Sequence, residues 1–356
     1  MTQGGERHRS DQLRGAALGL AAAALFGLSA PVAKLLLGQI APVLLAGLLY
    51  LGAAVGLWLH RLIARPTREA PLGRSDAWQL GLVVLSGGIA GPVLMLLGLA
   101  RVTGLTGSLL LNLEAPFTVL LAVMLFREHL GRYAAAAVVM IIAGAAVLKV
   151  GSGALGVDVP GVVLVAAACA CWALDNNITQ KLSLRDPFAI VRVKALVAGV
   201  TNTLLGLVVA RGQWPPASFV LGAMALGSLS YGVSVVLDAY ALRFIGAARE
   251  AAYFATAPFV GALASVVLLD DVLRLPDGLA MAAMGGGVAL LLRERHAHTH
   301  NHGEIEHEHL HEHDEHHQHA HAAGDPLGEP HSHAHRHLSL VHDHPHVPDA
   351  HHRHRH

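Results

Sequence analysis

The stretch Leu113-Glu114-Ala115-Pro116-Phe117-Thr118-Val119 returns, altered, as Ala255-Thr256-Ala257-Pro258-Phe259-Val260-Gly261. A shift of 142 residues lays Ala115-Pro116-Phe117 on Ala257-Pro258-Phe259. The same shift aligns Arg101 with Arg243, Gly104 with Gly246, Glu128 with Asp270 and Gly144 with Gly286. Several matches in a single register mark an internal duplication. Both copies lie in long apolar stretches, so the duplicated unit is a set of membrane helices.

The chain is 53% hydrophobic and 14% charged, with mean hydropathy +0.49. A helix needs ~20 apolar residues to cross the hydrocarbon. Spans are expected near 14–36, 41–62, 78–99, 103–126, 132–149, 159–180, 187–209, 217–240, 246–269 and 275–292. Each copy then holds five. An odd number makes the second copy enter the membrane in the opposite sense. That is an inverted-topology repeat, the plan of many secondary transporters, whose substrate sits near the midplane between the halves. The expected fold is an all-α membrane protein of ten transmembrane helices in two inverted five-helix repeats. Residues 1–13 form an N-terminus, 14–149 the first repeat, 159–292 the second, and 293–356 a disordered tail. Abundant Gly and Ala suit helices whose backbones approach closely.

Arg and Lys mark alternate connections. Arg7, Arg9 and Arg14 precede the first span, Arg61, Arg65, Arg68 and Arg74 fill the second connection, and Arg127 and Arg132 the fourth. Lys181 and Arg185 lie in the sixth, Arg243 in the eighth, and Arg293 and Arg295 after the tenth span. The positive-inside rule puts both termini in the cytoplasm. Arginines before an apolar stretch also suit a signal peptide, but nine more spans favour an uncleaved first helix. Trp78 and Trp214 stand at span starts, where indoles meet the interface. Cys169 and Cys171 read as small packing residues, since a lone C-x-C pair is no zinc site.

The body resembles the EamA family of the drug/metabolite transporter superfamily, over about residues 14–292. Gly107-Ser108-Leu109-Leu110-Leu111-Asn112-Leu113-Glu114-Ala115-Pro116-Phe117, Phe126-Arg127-Glu128-His129-Leu130-Gly131 and Ala251-Ala252-Tyr253-Phe254-Ala255-Thr256-Ala257-Pro258-Phe259 carry the resemblance. The family usually shows Gly-Glu at the ends of the fourth and ninth spans. This chain has Arg127-Glu128 and Asp270-Asp271 there, keeping the acid and losing the glycine. The resemblance implies ten helices and secondary transport, often export of amino acids or other small metabolites.

Glu114 falls halfway through the fourth span. A carboxylate at that depth is costly unless protonated, paired or facing water, so it is the first candidate for the substrate pathway. Pro116 cannot donate to the carbonyl four residues back, Asn112, and Pro258 likewise frees Phe254. Pro31 and Pro92 free Gly27 and Gly88. Such non-ideal helix fits a hinge or a pathway lining as well as a static kink. Asp175, Asn176 and Asn177 in the sixth span and Arg192 and Lys194 in the seventh fall at similar depth and suit an ion-pair network. Tyr253 joins the pathway if the repeat register holds. Asp238, Arg249 and Glu250 suit a hydrated vestibule for a polar substrate or interfacial charges that snorkel, and Lys34 reads as a snorkelling anchor.

Most of the chain's 26 histidines lie in the tail. Imidazole is a common ligand for zinc, nickel, copper and cobalt. His296, His298, His300, His302, His307, His309, His311, His313, His331, His333, His335 and His337 alternate with other residues, and Glu304, Glu306, Glu308 and Glu312 add oxygen ligands. The tail has no periodic apolar residues, hence the expectation of disorder.

Two functions compete. One is a secondary exporter of a small polar metabolite with a metal-binding cytoplasmic tail. The other is a transition-metal transporter that uses the tail for ion capture. No body span carries His and Asp ligands at i, i+4 spacing, which weakens the second. No nucleotide loop or catalytic constellation marks an enzyme. The expected partners are the lipid bilayer of the cytoplasmic membrane and a small-molecule or metal-ion substrate, with no nucleic acid and a homodimer left open. No cofactor is required, apart from a divalent transition metal on the tail.

Overall fold

The computed structural model describes residues 3–63, 70–126, 130–150, 158–182, 185–245, 247–293, 296–302, 305–311, 331–337 and 340–346. Arg65, Arg68, Arg127, Glu128, His129, Gly246, Arg295, Glu304, Glu312 and His313 lie outside them, as do the side chains of Lys181, Arg243 and Arg249.

The protein is an all-α membrane protein. Eight helical stretches are long and apolar enough to cross a bilayer: Gln12–Leu36, Pro42–Ile63, Arg74–Leu99, Gly104–Leu125, Val159–Thr179, Pro187–Val209, Ala217–Leu242 and Glu250–Leu268. Arg132–Leu148 and Leu275–Leu291 are shorter apolar helices, and they stand fifth and last in chain order. We number the ten as spans 1 to 10 along the chain. Large apolar side chains on the periphery, such as Leu62, Val139, Val208 and Val267, are exposed, as suits contact with lipid tails.

The principal packings pair span 2 with 7 and 8, 5 with 10, 4 with 6 and 9, 1 with 8 and 9, and 3 with 6 and 7. Exchanging spans 1–5 with spans 6–10 maps this set onto itself. Small residues set the approach. A Cβ on Gly206 of span 7 would run into the backbone of Leu44 in span 2. A Cβ on Gly144 of span 5 would sit 2.8 Å from Met284, and one on Gly287 of span 10 would sit 2.7 Å from Ile141. Packing by small residues replaces the hydrophobic drive that lipid cannot supply.

The helices depart from α geometry where the prolines interrupt them. Gln3–Gly27 ends before Ser29–Leu36, which carries Pro31. Leu111–Leu113 is 3-10 helix just before Pro116, and a two-residue turn separates Ala247–Phe254 from Ala257–Leu268, which opens on Pro258. Val84–Ala90 is π-helix, ended by Gly91-Pro92. The second copy repeats the π segment as Ser228–Val233 without a proline. The freed Gly88 carbonyl accepts from Asn202 Nδ2 at 3.1 Å, so a neighbouring span satisfies it.

Polar contacts at the helix ends join connections of like parity. Arg185 bonds Asp76 at 2.9 Å, linking the second and sixth, and Arg101 bonds Asp158 at 2.8 Å, linking the third and fifth. Lys34 Nζ donates to the Leu99 carbonyl at 2.7 Å and to that of Val102. It thus caps the end of span 3, where a cation is favoured. Asp271 accepts from the Leu105 amide at 2.8 Å at the start of span 4.

The tail, expected to lack regular structure, contains four strands among its described residues: β1 (His296–His302), β2 (Ile305–His311), β3 (His331–His337) and β4 (Leu340–His346). β1 pairs antiparallel with β4, and β2 with β3. Alternation has the period of a strand, and backbone pairing needs no apolar core. The register sets His298 across from His344 and His300 across from His342. It sets His307 across from His335 and His309 across from His333.

Candidate functional site

A cavity of about 220 Å³ opens between the two halves. Its walls are Phe26, Tyr50, Ala53, Glu114, Trp172, Asp175, Asn176, Val191, Lys194, Ala195, Tyr231, Val235 and Phe254. These come from spans 1, 2, 4, 6, 7, 8 and 9, so both repeats contribute.

Glu114 follows the 3-10 turn Leu111–Leu113 and starts the α-helical part of its span. Its Oε1 accepts from Asn176 Nδ2 at 2.6 Å. One residue earlier, Asp175 is turned about 100° around span 6. Its Oδ2 lies 2.8 Å from Lys194 Nζ, and its Oδ1 accepts from Thr179 Oγ1 at 3.1 Å. Asp175 is only 3% exposed, whereas Asn176 is exposed. The cavity therefore holds a buried ion pair beside an accessible acid–amide pair. Gly87 in the π segment makes room for this: a Cβ there would occupy the Asp175 carboxyl. The Gly87 carbonyl accepts from both Tyr50 OH at 2.9 Å and Trp172 Nε1 at 3.1 Å. Those two bonds fix two of the cavity's rings. Phe26 lies edge-on to Tyr231 at 5.7 Å and 5.2 Å from Phe254, and Tyr50 stacks on Tyr231 at 5.8 Å.

Glu114, Asp175, Asn176 and Lys194 are thus brought together. Other candidates point elsewhere. Arg192 is two residues from Lys194, about 200° around the helix, and pairs with Asp186 at 3.4 Å. Asn112 stands in the same relation to Glu114 and bonds the Leu109 carbonyl and Met284 Sδ. Asn177 bonds the carbonyls of Thr118 and Ala173, fastening span 6 to span 4. Tyr253 packs on Gly19, and its neighbour Phe254 faces the cavity. Pro116 and Pro258 shape their spans without lining the cavity. Sequence reasoning missed Phe26, Tyr50, Trp172, Tyr231 and Phe254. Isolated rings in apolar runs look like packing, and only a resident charge at equal depth hints otherwise.

The model of the EamA-like transporter family matches residues 13–150 and again residues 159–293. The chain belongs to the EamA-like transporter family. An uncharacterised transporter of Methanothermobacter thermautotrophicus is 30% identical over 288 residues, which is 76% of this chain and 84% of that one. A solved crystal structure with 22% identity superposes with a TM-score of 0.58 over 78% of this chain and 96% of its own. That likeness concerns the fold. As an EamA-like protein the chain is an integral membrane transporter of the drug/metabolite type, and the two matched ranges flank the cavity.

Proposed function

We propose that the protein is a secondary exporter of a small polar metabolite that crosses through the central cavity. Glu114 and Asn176 contact the solute, and the Asp175–Lys194 pair lies beside them. The observation that carries this reading is the meeting of those charged side chains, from both repeats, in an aromatic-walled cavity between the halves. A midplane site between repeats is where such folds bind solute. The protein is placed, on this reading, in the cytoplasmic membrane with both termini in the cytoplasm, in accord with the alternating basic connections.

The tail is proposed to hold a divalent transition metal. The cross-strand register of β1 with β4 and β2 with β3 favours this, because directly opposed residues have Cβ atoms ~5 Å apart. Metal as the transported species is the weaker reading. Among the described residues no three His, Cys, Asp or Glu side chains gather as a ligand set.

The test is flux in liposomes by purified protein, full-length against a version ending at Arg295. The panel pairs nickel, cobalt, zinc and copper with amino acids. Organic-solute flux unchanged by truncation, with metal bound only by the full-length chain, is the expected result. Metal flux that weakens without the tail would replace this reading with ion transport.

A further inference from the structure

The charges facing the cavity do not balance. Asp175 and Lys194 form a close ion pair and cancel. Glu114 has a neutral partner in Asn176. Among the described residues lining the cavity, the ionisable acids and bases are Glu114, Asp175 and Lys194, with the phenols of Tyr50 and Tyr231 beside them. Among these described residues one negative charge is therefore left without a counter-charge at membrane depth, where isolated charge is costly.

The walls have the matching chemistry. Five aromatic rings surround the acid: Phe26, Tyr50, Trp172, Tyr231 and Phe254. Ring faces carry negative potential, so they attract cations and disfavour anions. The Tyr50 hydroxyl and Trp172 indole N–H are both committed to the Gly87 carbonyl. Neither ring therefore has its O–H or N–H donor left for a solute. A volume of about 220 Å³ lies just below the ~300–1,000 Å³ of common ligand pockets. That suits a small solute.

We propose that the cavity binds a small organic monocation, its ammonium group on Glu114 and its apolar part against the aromatic rings. The inference rests on the reading of this cavity as the solute pathway. Lys194 is held by Asp175, so it offsets a charge and does not receive a solute carboxylate. A zwitterion would leave the excess negative charge in place, and an anion would add to it.

Three probes that share a phenyl ring and differ in charge test this: phenethylammonium, zwitterionic phenylalanine and anionic phenylpropanoate. Binding to the full-length protein in detergent is measured by calorimetry, and flux in liposomes. Phenethylammonium is expected to bind at least about tenfold more tightly than the other two, the scale of a desolvated cation on an aromatic face. Glu114→Gln should remove that preference. Asp175→Asn frees the Lys194 charge and should shift preference toward phenylalanine, a change that loss of folding cannot mimic. Equal or tighter binding of phenylalanine or phenylpropanoate by the unaltered protein overturns the charge assignment, as does a cation preference that survives Glu114→Gln. Binding of none of the three also overturns it. Amino-acid flux in the wider liposome panel would then show that the pathway reading stands without it.

Discussion

At the scale of single residues, a few side chains create the site and each has a measurable cost. Asp175 is almost fully buried and its counter-ion is Lys194. Lys194→Met leaves that carboxylate unpaired and should cost about 3 kcal/mol, read from thermal unfolding in detergent. Adding Asp175→Leu should recover most of it, because replacing both partners removes the stranded charge. Gly87→Ala puts a methyl group where the Asp175 carboxyl sits. It should lower stability by about 1–3 kcal/mol and depress transport, since the pair must move. Asp270 adopts a positive φ of 54° at the end of span 9. Asp270→Gly relieves a left-handed conformation and should stabilise by about 0.5–1 kcal/mol. The charged and amide residues of the cavity, Glu114, Asp175, Asn176 and Lys194, were legible in the sequence because such groups stand out in apolar runs. The aromatic residues were not, because a ring in such a run is equally at home in packing.

At the scale of helices, the repeat fixes where geometry is broken and the caps fix where spans begin. Asp158 caps span 6, accepting from the Gly161 amide at 3.2 Å. The Arg101 guanidinium bonded to it, more than the amide, holds its carboxyl below the usual carboxylate range. A depressed carboxylate stabilises the fold above its ordinary pKa, and that contribution fades as pH falls through the folded-state value. Asp158→Asn should therefore flatten the acid side of the unfolding-temperature profile, by a small amount because the group is solvent-facing. In the interior, Asn202 supplies a side-chain donor to the carbonyl that Pro92 leaves free. Asn202→Leu should cost about 1 kcal/mol and loosen the π segment, seen as faster amide exchange around residues 84–90. The prolines announced these breaks in the sequence. The π segment of span 8 has no proline and was visible only once the helix was traced.

At the scale of the whole molecule, parity governs. Ion pairs join the second connection to the sixth and the third to the fifth, as alternating spans require. Cysteine placed at Ser75 should resist a membrane-impermeant maleimide added to intact cells, while cysteine at Gln213 should react. The reverse labelling would overturn the proposed orientation. The number and position of the spans, the duplication and the family were all determined by the sequence alone. Their cause is local: the bilayer demands ~20 apolar residues wherever the chain crosses, and a duplication leaves its register in the residues themselves. The tertiary structure alone decided which polar groups meet. Lys194 rather than Arg192 reaches Asp175, and Phe254 rather than Tyr253 faces the cavity. Hydropathy gives depth, but the facing of a side chain depends on helix rotation, at 100° per residue. That rotation is set by the packing of one repeat against the other.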